Sequence, residues 1–185
     1  DKNALQKMYA KAIKENYDIV ACDTYAIYPN QKIYIKSNID DNQNNSKLLI
    51  DAYAVIWNKI YKKEILKNIT FDKTISFCED VLFLYQIYPK AKKIGSIKEP
   101  LYNYLQRENS LTYTYDKKLY QLIDSLDKII KYYKTQNLYE KYHNELEYSY
   151  VRYLYATFIK RLAKTKNKKE FNKGYNFVKN KVLEN

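Results

Sequence analysis

The sequence predicts a mixed α/β fold over residues 1–112 and a mostly helical region over residues 113–185. In the first part, short apolar runs typical of strands alternate with segments whose apolar residues recur every three or four positions. In the second part only the helical spacing is present. An apolar content of 46% supports a packed core.

The first elements are a helix, a strand and its hairpin partner. Apolar residues at helical spacing predict a helix over residues 3–16, capped by Asn3 and stopped by Asn16. Residues 18–22 form a short apolar run typical of a buried strand, which extends toward Pro29. The segment 32–37 alternates like a hairpin partner of that strand.

The middle of the chain predicts further short elements around a polar loop at 39–46. In order, these are a short helix capped by Ser46, a helix over 58–68, a helix over 81–88, and strands over 93–97 and 101–105. With only 2 glycines and 3 prolines in the chain, we expect asparagine and aspartate to form the turns.

Three helices are predicted in residues 113–185: one from 116, one from about 139 to 163, and one over 168–183 that Gly174 interrupts. The net charge of +12 is concentrated here, with 16 basic and 8 acidic side chains against 17 and 13 in residues 1–112. The segment from Ile159 to Lys181 holds nine basic side chains and one acid. Such a segment is either a solvated helical face or a surface for an anionic membrane or nucleic acid.

Several kinds of site are not expected. Two distant cysteines and one histidine do not fit a zinc site. No apolar run reaches the roughly 18 residues of a membrane-spanning helix. Nucleic-acid binding is also not expected, because the basic residues are spread along helices without a recognised binding motif.

Glu79 and Asp80 open an apolar helical run and are the first candidate site residues. Acids at a helix N-terminus are stabilised by its backbone N–H groups and dipole, which is a sufficient structural explanation. The functional alternative is a general base. Similarly, Arg107 and Ser110 form either a surface contact or a clamp for phosphate or carboxylate oxygens.

Trp57 and Lys59, the third candidate pair, flank an asparagine. Trp57 is the only tryptophan in the chain and is either a core residue or a platform that stacks on a sugar. Lys59 supplies a neighbouring cation, which offers a phosphate contact as the other functional alternative.

Residues 54–112 resemble the acceptor-side half of family 2 glycosyltransferases of the GT-A fold, bacterial enzymes that build surface glycans. The features are, in order, W-N-K, a Phe, E-D before an apolar helix, P-L-Y-x-Y and R-x-x-S-x-T. The opening segment NALQKMYAKAIKENYDIVAC is similar to the one that follows the family's metal-binding DxD motif. The resemblance covers residues 1–112 and implies an incomplete GT-A-like domain followed by a helical extension.

The resemblance implies a role for each candidate. Asp80 would be the catalytic base of an inverting transfer, and Glu79 would support it or position the acceptor. Arg107 and Ser110 would steady the donor diphosphate, across a shared groove from Asp80. Trp57 and Lys59 would line the acceptor cleft. The implied partners are a nucleotide-sugar donor and a glycan or lipid-linked acceptor.

The family's nucleotide-binding half, with its DxD motif, has no counterpart in this sequence. We therefore expect a fragment of a surface-polysaccharide enzyme that is inactive by itself. The whole enzyme would use Mg²⁺ or Mn²⁺, with no metal bound by this chain. We also expect a cytoplasmic location, peripheral membrane contact through the basic tail, and homodimers through unpaired strand edges. The alternatives are a non-enzymatic basic module that binds membrane or nucleic acid, and an oligomerisation domain.

Overall fold

A computed structural model describes residues 1–106 and 117–183 of the chain. The chain divides into two compact units. The first consists of Asp1–Asp72 and Asp80–Arg107, and the second of Lys73–Glu79 and Glu108–Asn185. The boundary predicted at residue 112 lies outside the described residues.

The first unit is built on a four-stranded sheet around one central strand. Its strands are β1 (Ile19–Ile27), β2 (Lys32–Ile35), β3 (Lys59–Tyr61) and β4 (Ile94–Leu105). β1 pairs with β4 in parallel along one edge. Two strands share the other edge of β1. β2 pairs antiparallel with the C-terminal half of β1, and β3 pairs antiparallel with the first three residues of β1. The middle of that second edge is therefore open to a contact from elsewhere in the chain.

The helices of the first part are α1 (Ala4–Glu15), α2 (Asn45–Asp51) and α3 (Glu79–Ile87), with 3₁₀ turns at Lys63–Leu66 and Tyr88–Lys90. The predicted first helix is confirmed, and Asn16 ends it in the left-handed conformation, with φ of 55°. Asn3 occupies the N-cap position, but its side chain makes no capping hydrogen bond. Asn44, not Ser46, caps α2, since its side chain accepts a hydrogen bond from the amide of Lys47.

The amphipathic face predicted for α1 is divided between core and solvent. Met8 is buried against the sheet, in a cluster with Val20 and Leu101. Tyr9 and Ile13 belong to the same predicted face but are 64% and 66% exposed.

The expected use of asparagine in turns is confirmed. Six non-glycine residues among those described have positive φ, and five of them are asparagines: Asn16, Asn38, Asn42, Asn68 and Asn137. A short polar side chain that hydrogen-bonds locally tolerates this conformation better than most others.

Two predicted elements differ from the structure. The prediction of a helix over residues 58–68 is wrong, because Lys59–Tyr61 pairs as a strand with Ile19–Ala21. The two strands over 93–97 and 101–105 are one strand, β4, whose register against β1 shifts on both sides of Asp23. Pro100 lies opposite Asp23 at this irregularity, where a missing N–H group is tolerated.

The second unit is helical, as predicted. A 3₁₀ turn at Lys117–Tyr120 leads into α4 (Gln121–Thr135), followed by α5 (Tyr139–Arg152), α6 (Lys160–Leu162) and α7 (Lys168–Leu183). A π-helical segment, Tyr153–Ile159, joins α5 to α6. Gly174 does not interrupt α7; a Cβ there would lie 2.6 Å from a methyl group of Leu162, so the glycine permits close packing.

The mixed α/β class and the helical C-terminal region are thus both present. None of the helices in the described part of the chain is long and apolar enough to cross a membrane.

Candidate functional site

Asp80 lies in the first turn of α3, next to the loop formed by residues 53–58. Its Oδ2 atom accepts a hydrogen bond from the backbone amide of Ile56, at 3.4 Å. Glu79 is the first residue of α3, and both carboxylates are partly exposed. Both carboxylates therefore lie at the N-terminal end of a helix, where a ligand in solvent can reach them.

The 53–58 loop carries Trp57, whose ring packs flat against two tyrosines of β4. Its centroid lies 4.4 Å from that of Tyr102 and 5.0 Å from that of Tyr104, in stacked arrangements. Tyr53 meets the indole edge-on at 5.9 Å. One face of Trp57 is therefore occupied within the protein, and Tyr102 extends the aromatic surface to solvent with 37% of its area exposed.

Lys59 is buried beneath the loop, with only 7% of its surface exposed. Its Nζ atom donates to the backbone oxygens of Tyr53 and Val55 at 2.8 and 2.7 Å. A third hydrogen bond, of 2.8 Å, goes to Oδ1 of Asn58. The structure therefore places the Lys59 ammonium on protein oxygens within the loop and not at its outer surface.

Burial shifts the pKa values of three groups around the loop. It lowers the pKa of Lys59 to about 7, against the opposing effects of Cys22 and Asp80. Burial also raises the pKa of the Cys22 thiol to about 11. The pKa of Tyr61 is raised by burial and then by the negative charge of Asp80. Tyr61 donates its hydroxyl to the backbone oxygen of Ile56 and so remains a donor to the loop.

The structure brings together three of the six predicted site residues. Trp57, Lys59 and Asp80 meet at the 53–58 loop. Glu79 adjoins Asp80 in sequence but belongs to the second unit. Arg107 and Ser110 lie outside the described residues, so the shared groove between Asp80 and Arg107 stays a prediction.

Sequence reasoning did not select Tyr53, Tyr102 or Tyr104 as site residues. The available signal was the alternation in P-L-Y-x-Y, which places Tyr102 and Tyr104 on one face of a strand. Their contact with Trp57 depends on the long-range pairing of β4 with β1 and could not be read from local spacing.

In residues 1–106 and 117–183, no cluster of three or more His, Cys, Asp or Glu side chains could hold a metal ion.

Comparisons with known proteins find sequence similarity between this chain and glycosyltransferases. No family model matches the chain. An uncharacterized glycosyltransferase of Bacillus subtilis, EpsJ, is 27% identical over 119 residues, which cover 58% of this chain and 35% of EpsJ. A cholesterol galactosyltransferase of Borreliella burgdorferi is 25% identical over 174 residues, covering 80% of this chain and 48% of that protein. The chain thus spans about a third and about half of the lengths of these two relatives.

Solved structures share the fold. A crystal structure of residues 1–349 of Staphylococcus aureus TarS in complex with UDP-GlcNAc matches with a TM-score of 0.57 at 18% identity, covering 88% of this chain and 52% of that TarS segment. A second structure of the same TarS segment matches with a TM-score of 0.51.

Proposed function

We propose that this protein is a glycosyltransferase that moves a sugar from a nucleotide-sugar donor to a hydroxyl group of a glycan or lipid-linked acceptor. The observation that carries the proposal is the agreement of sequence and fold: two relatives named as glycosyltransferases and a fold shared with TarS. A purely non-enzymatic basic module is not favoured by these relatives. The finer assignment, to an inverting family 2 enzyme of surface-polysaccharide synthesis, rests on the motifs in residues 54–112.

In the proposed reaction, Asp80 accepts the proton of the acceptor hydroxyl. The acceptor oxygen forms a bond to the anomeric carbon while the bond from that carbon to the donor diphosphate breaks. The electron pair of the broken bond leaves with the nucleoside diphosphate, so negative charge develops on the diphosphate and requires nearby cations. Arg107 is proposed as a cation for that role and Ser110 as a hydrogen-bond donor to the diphosphate. Glu79 is proposed to support Asp80 or the acceptor.

The aromatic surface formed by Trp57, Tyr102 and Tyr104 is proposed to form part of the acceptor cleft. Sugar rings carry C–H groups that pack against aromatic faces, and Tyr102 offers the most exposed ring of the three. No step is assigned to a metal ion. The use of Mg²⁺ or Mn²⁺ by the whole enzyme is part of the family proposal.

Donor turnover tests the proposal directly. The full-length protein is incubated with UDP-glucose, UDP-galactose or UDP-GlcNAc and Mn²⁺, with and without an alkyl glycoside acceptor, and released UDP is measured by chromatography. We expect UDP release from at least one donor, increased by acceptor. Absence of release from all three would contradict the proposal for UDP-sugars.

The 185-residue chain by itself is proposed to be inactive, because the resemblance places only diphosphate contacts of the donor site in this sequence. Calorimetric titration of this chain with UDP-GlcNAc and Mn²⁺ should show no binding. Tight, metal-dependent binding would overturn this part of the proposal without affecting the assignment of sugar transfer.

We also propose that the protein is cytoplasmic and that its basic C-terminal region contacts the anionic inner face of the membrane. The second unit exposes Tyr148, Val151 and Tyr155 on α5 and the π-helical segment, and Lys168, Lys169, Lys173 and Lys179 on α7. Sedimentation with phosphatidylglycerol vesicles should exceed that with phosphatidylcholine vesicles. Equal sedimentation with both would count against membrane contact.

A further inference from the structure

Lys59 is a charged side chain for which the proposed reaction has no direct use, since it is buried at the start of β3. A lysine is rarely this buried unless its ammonium is bonded. The three N–H donors of the ammonium match the three oxygen acceptors that surround it, from Tyr53, Val55 and Asn58. All three acceptors belong to the 53–58 loop. The ammonium thus ties one end of the loop to the other.

The same loop is anchored to the sheet at Asn58, which fills the open edge of β1 between β2 and β3. The backbone oxygen of Asn58 accepts from the amide of Cys22 at 2.8 Å. The Asn58 side chain donates to the backbone oxygen of Cys22, also at 2.8 Å. Since Asn58 and Lys59 are consecutive and hydrogen-bonded, the sheet, the lysine and the loop form one connected unit.

The outer side of this loop carries the groups proposed for chemistry. The amide of Ile56 donates to the Asp80 carboxylate, and the ring of Trp57 packs on Tyr102 and Tyr104. Displacement of the loop would therefore move both the hydrogen bond to Asp80 and the aromatic surface.

We propose that Lys59 is a positioning residue: its ammonium fixes the 53–58 loop and thereby sets the placement of Asp80 and Trp57. The structural part of this inference stands on the hydrogen bonds alone, and its catalytic consequence rests on the proposed function. Burial lowers the pKa of Lys59 to about 7, and a neutral amine has two N–H donors, which leaves one of the three loop acceptors without a donor. The tie should therefore weaken as the pH rises through 7.

The single tryptophan makes the loop observable. Lys59→Met keeps the length of the side chain and removes the donors, so that the three loop oxygens lose their shared partner. In this variant we expect the Trp57 emission to shift to longer wavelength and its quenching by acrylamide to increase, with an unchanged far-ultraviolet circular dichroism spectrum. Lys62→Met is the matched control, since Lys62 is exposed three residues further along the same segment and should leave Trp57 unaffected.

A second measurement covers the case in which Lys59→Met does not fold. Trp57 emission of the chain carrying His143→Gln is titrated from pH 5.5 to 8.5, so that the only histidine does not contribute. The charged or titratable groups that act on Lys59 are Cys22 on β1, which stays a thiol in this range, and Asp80 on α3. We expect a transition near pH 7. A flat titration, or a folded Lys59→Met variant with wild-type emission and quenching, would overturn the inference.

The enzymatic consequence is measured on the full-length protein. Lys59→Met should lower kcat by up to about 10²-fold, the loss typical of a displaced catalytic group, with little change in KM for the donor. A rise in donor KM at constant kcat would contradict positioning of Asp80. If the wild-type protein transfers no sugar, the proposed function fails, while the fluorescence experiments still decide whether Lys59 fixes the loop.

Discussion

The indole ring of Trp57 lies over the phenol ring of Tyr102, with centroids 4.4 Å apart and planes 28° from parallel. The two residues are 45 positions apart in the sequence, and both of their segments are held by β1. β4 pairs with one edge of β1, and β3, which follows the 53–58 loop, pairs with the other edge. The contact therefore reports whether the sheet and the loop are correctly assembled.

The first prediction concerns the energy of this contact. Trp57→Leu, Tyr102→Leu and the double variant form a cycle whose coupling energy, measured by urea unfolding, should be about 0.5–1.5 kcal/mol, the usual range for an aromatic pair. A parallel cycle of Trp57 with Tyr9, which is 64% exposed on α1, should give coupling near zero. Equal coupling in the two cycles would show that Trp57 and Tyr102 do not interact specifically.

The second prediction concerns Asp80. In the full-length protein, Asp80→Asn removes the proposed base while keeping the size of the side chain, so kcat should fall by about 10²–10⁴-fold. Asp124→Asn is the control, because Asp124 is also an acid in the first turn of a helix but is exposed on α4. Activity loss of the same size in both variants would indicate a general effect on helix stability in place of catalysis.

The third prediction concerns the effect of pH on stability. The pKa of Lys59 is about 7 in the folded chain against an ordinary value of 10.5. Between these values the unfolded chain holds the proton that the folded chain has released, so the free energy of unfolding should rise with pH, by up to about 1.4 kcal/mol per pH unit. Below pH 7 both states are protonated and this contribution is constant.

Urea unfolding at pH 7.0, 7.4 and 7.8 measures this slope where an ordinary cysteine, with a pKa of about 8.5, is still mostly protonated in the unfolded chain. Lys59→Met should remove the slope, and Lys62→Met should retain it. The same slope in wild type and Lys59→Met would mean that another group causes the dependence.

The fourth prediction compares the two glycines. A Cβ at Gly95 would overlap the ring of Tyr17, with Cζ at 2.7 Å, and would lie 2.8 Å from Oδ1 of Asp41. Because Gly95 is in β4 and Tyr17 is buried, Gly95→Ala should destabilise the first unit by about 1–3 kcal/mol.

Gly174→Ala is the comparison, and the stability of both variants is measured by thermal unfolding. Its Cβ would meet the methyl groups of Leu162, but alanine gains about 1 kcal/mol over glycine in a helix interior, which offsets part of the overlap. We expect a smaller loss than for Gly95→Ala. A larger loss at Gly174 would show that Leu162 cannot adjust.

Much of the fold follows from local sequence. The helices of the second unit have apolar residues at regular helical spacing, and that spacing by itself defines a buried face, as Leu122, Leu126 and Ile129 of α4 show. The asparagine turns were likewise expected, since the left-handed conformation is a property of single residues. The Glu79–Asp80 pair could be selected as a candidate because acids at the start of an apolar helix form a local pattern.

Tertiary structure decided the segment around Trp57 and Lys59. Its apolar residues fit a helix as well as a strand, and only pairing with the edge of β1 made Lys59–Tyr61 a strand. With that pairing, the Lys59 side chain lies beneath the 53–58 loop, where its ammonium donates to three oxygens. The position of β4 places Tyr102 against Trp57. The physical reason is that the spacing of apolar residues predicts which face of a segment is buried. The segment that packs against this face is determined by residues distant in the chain.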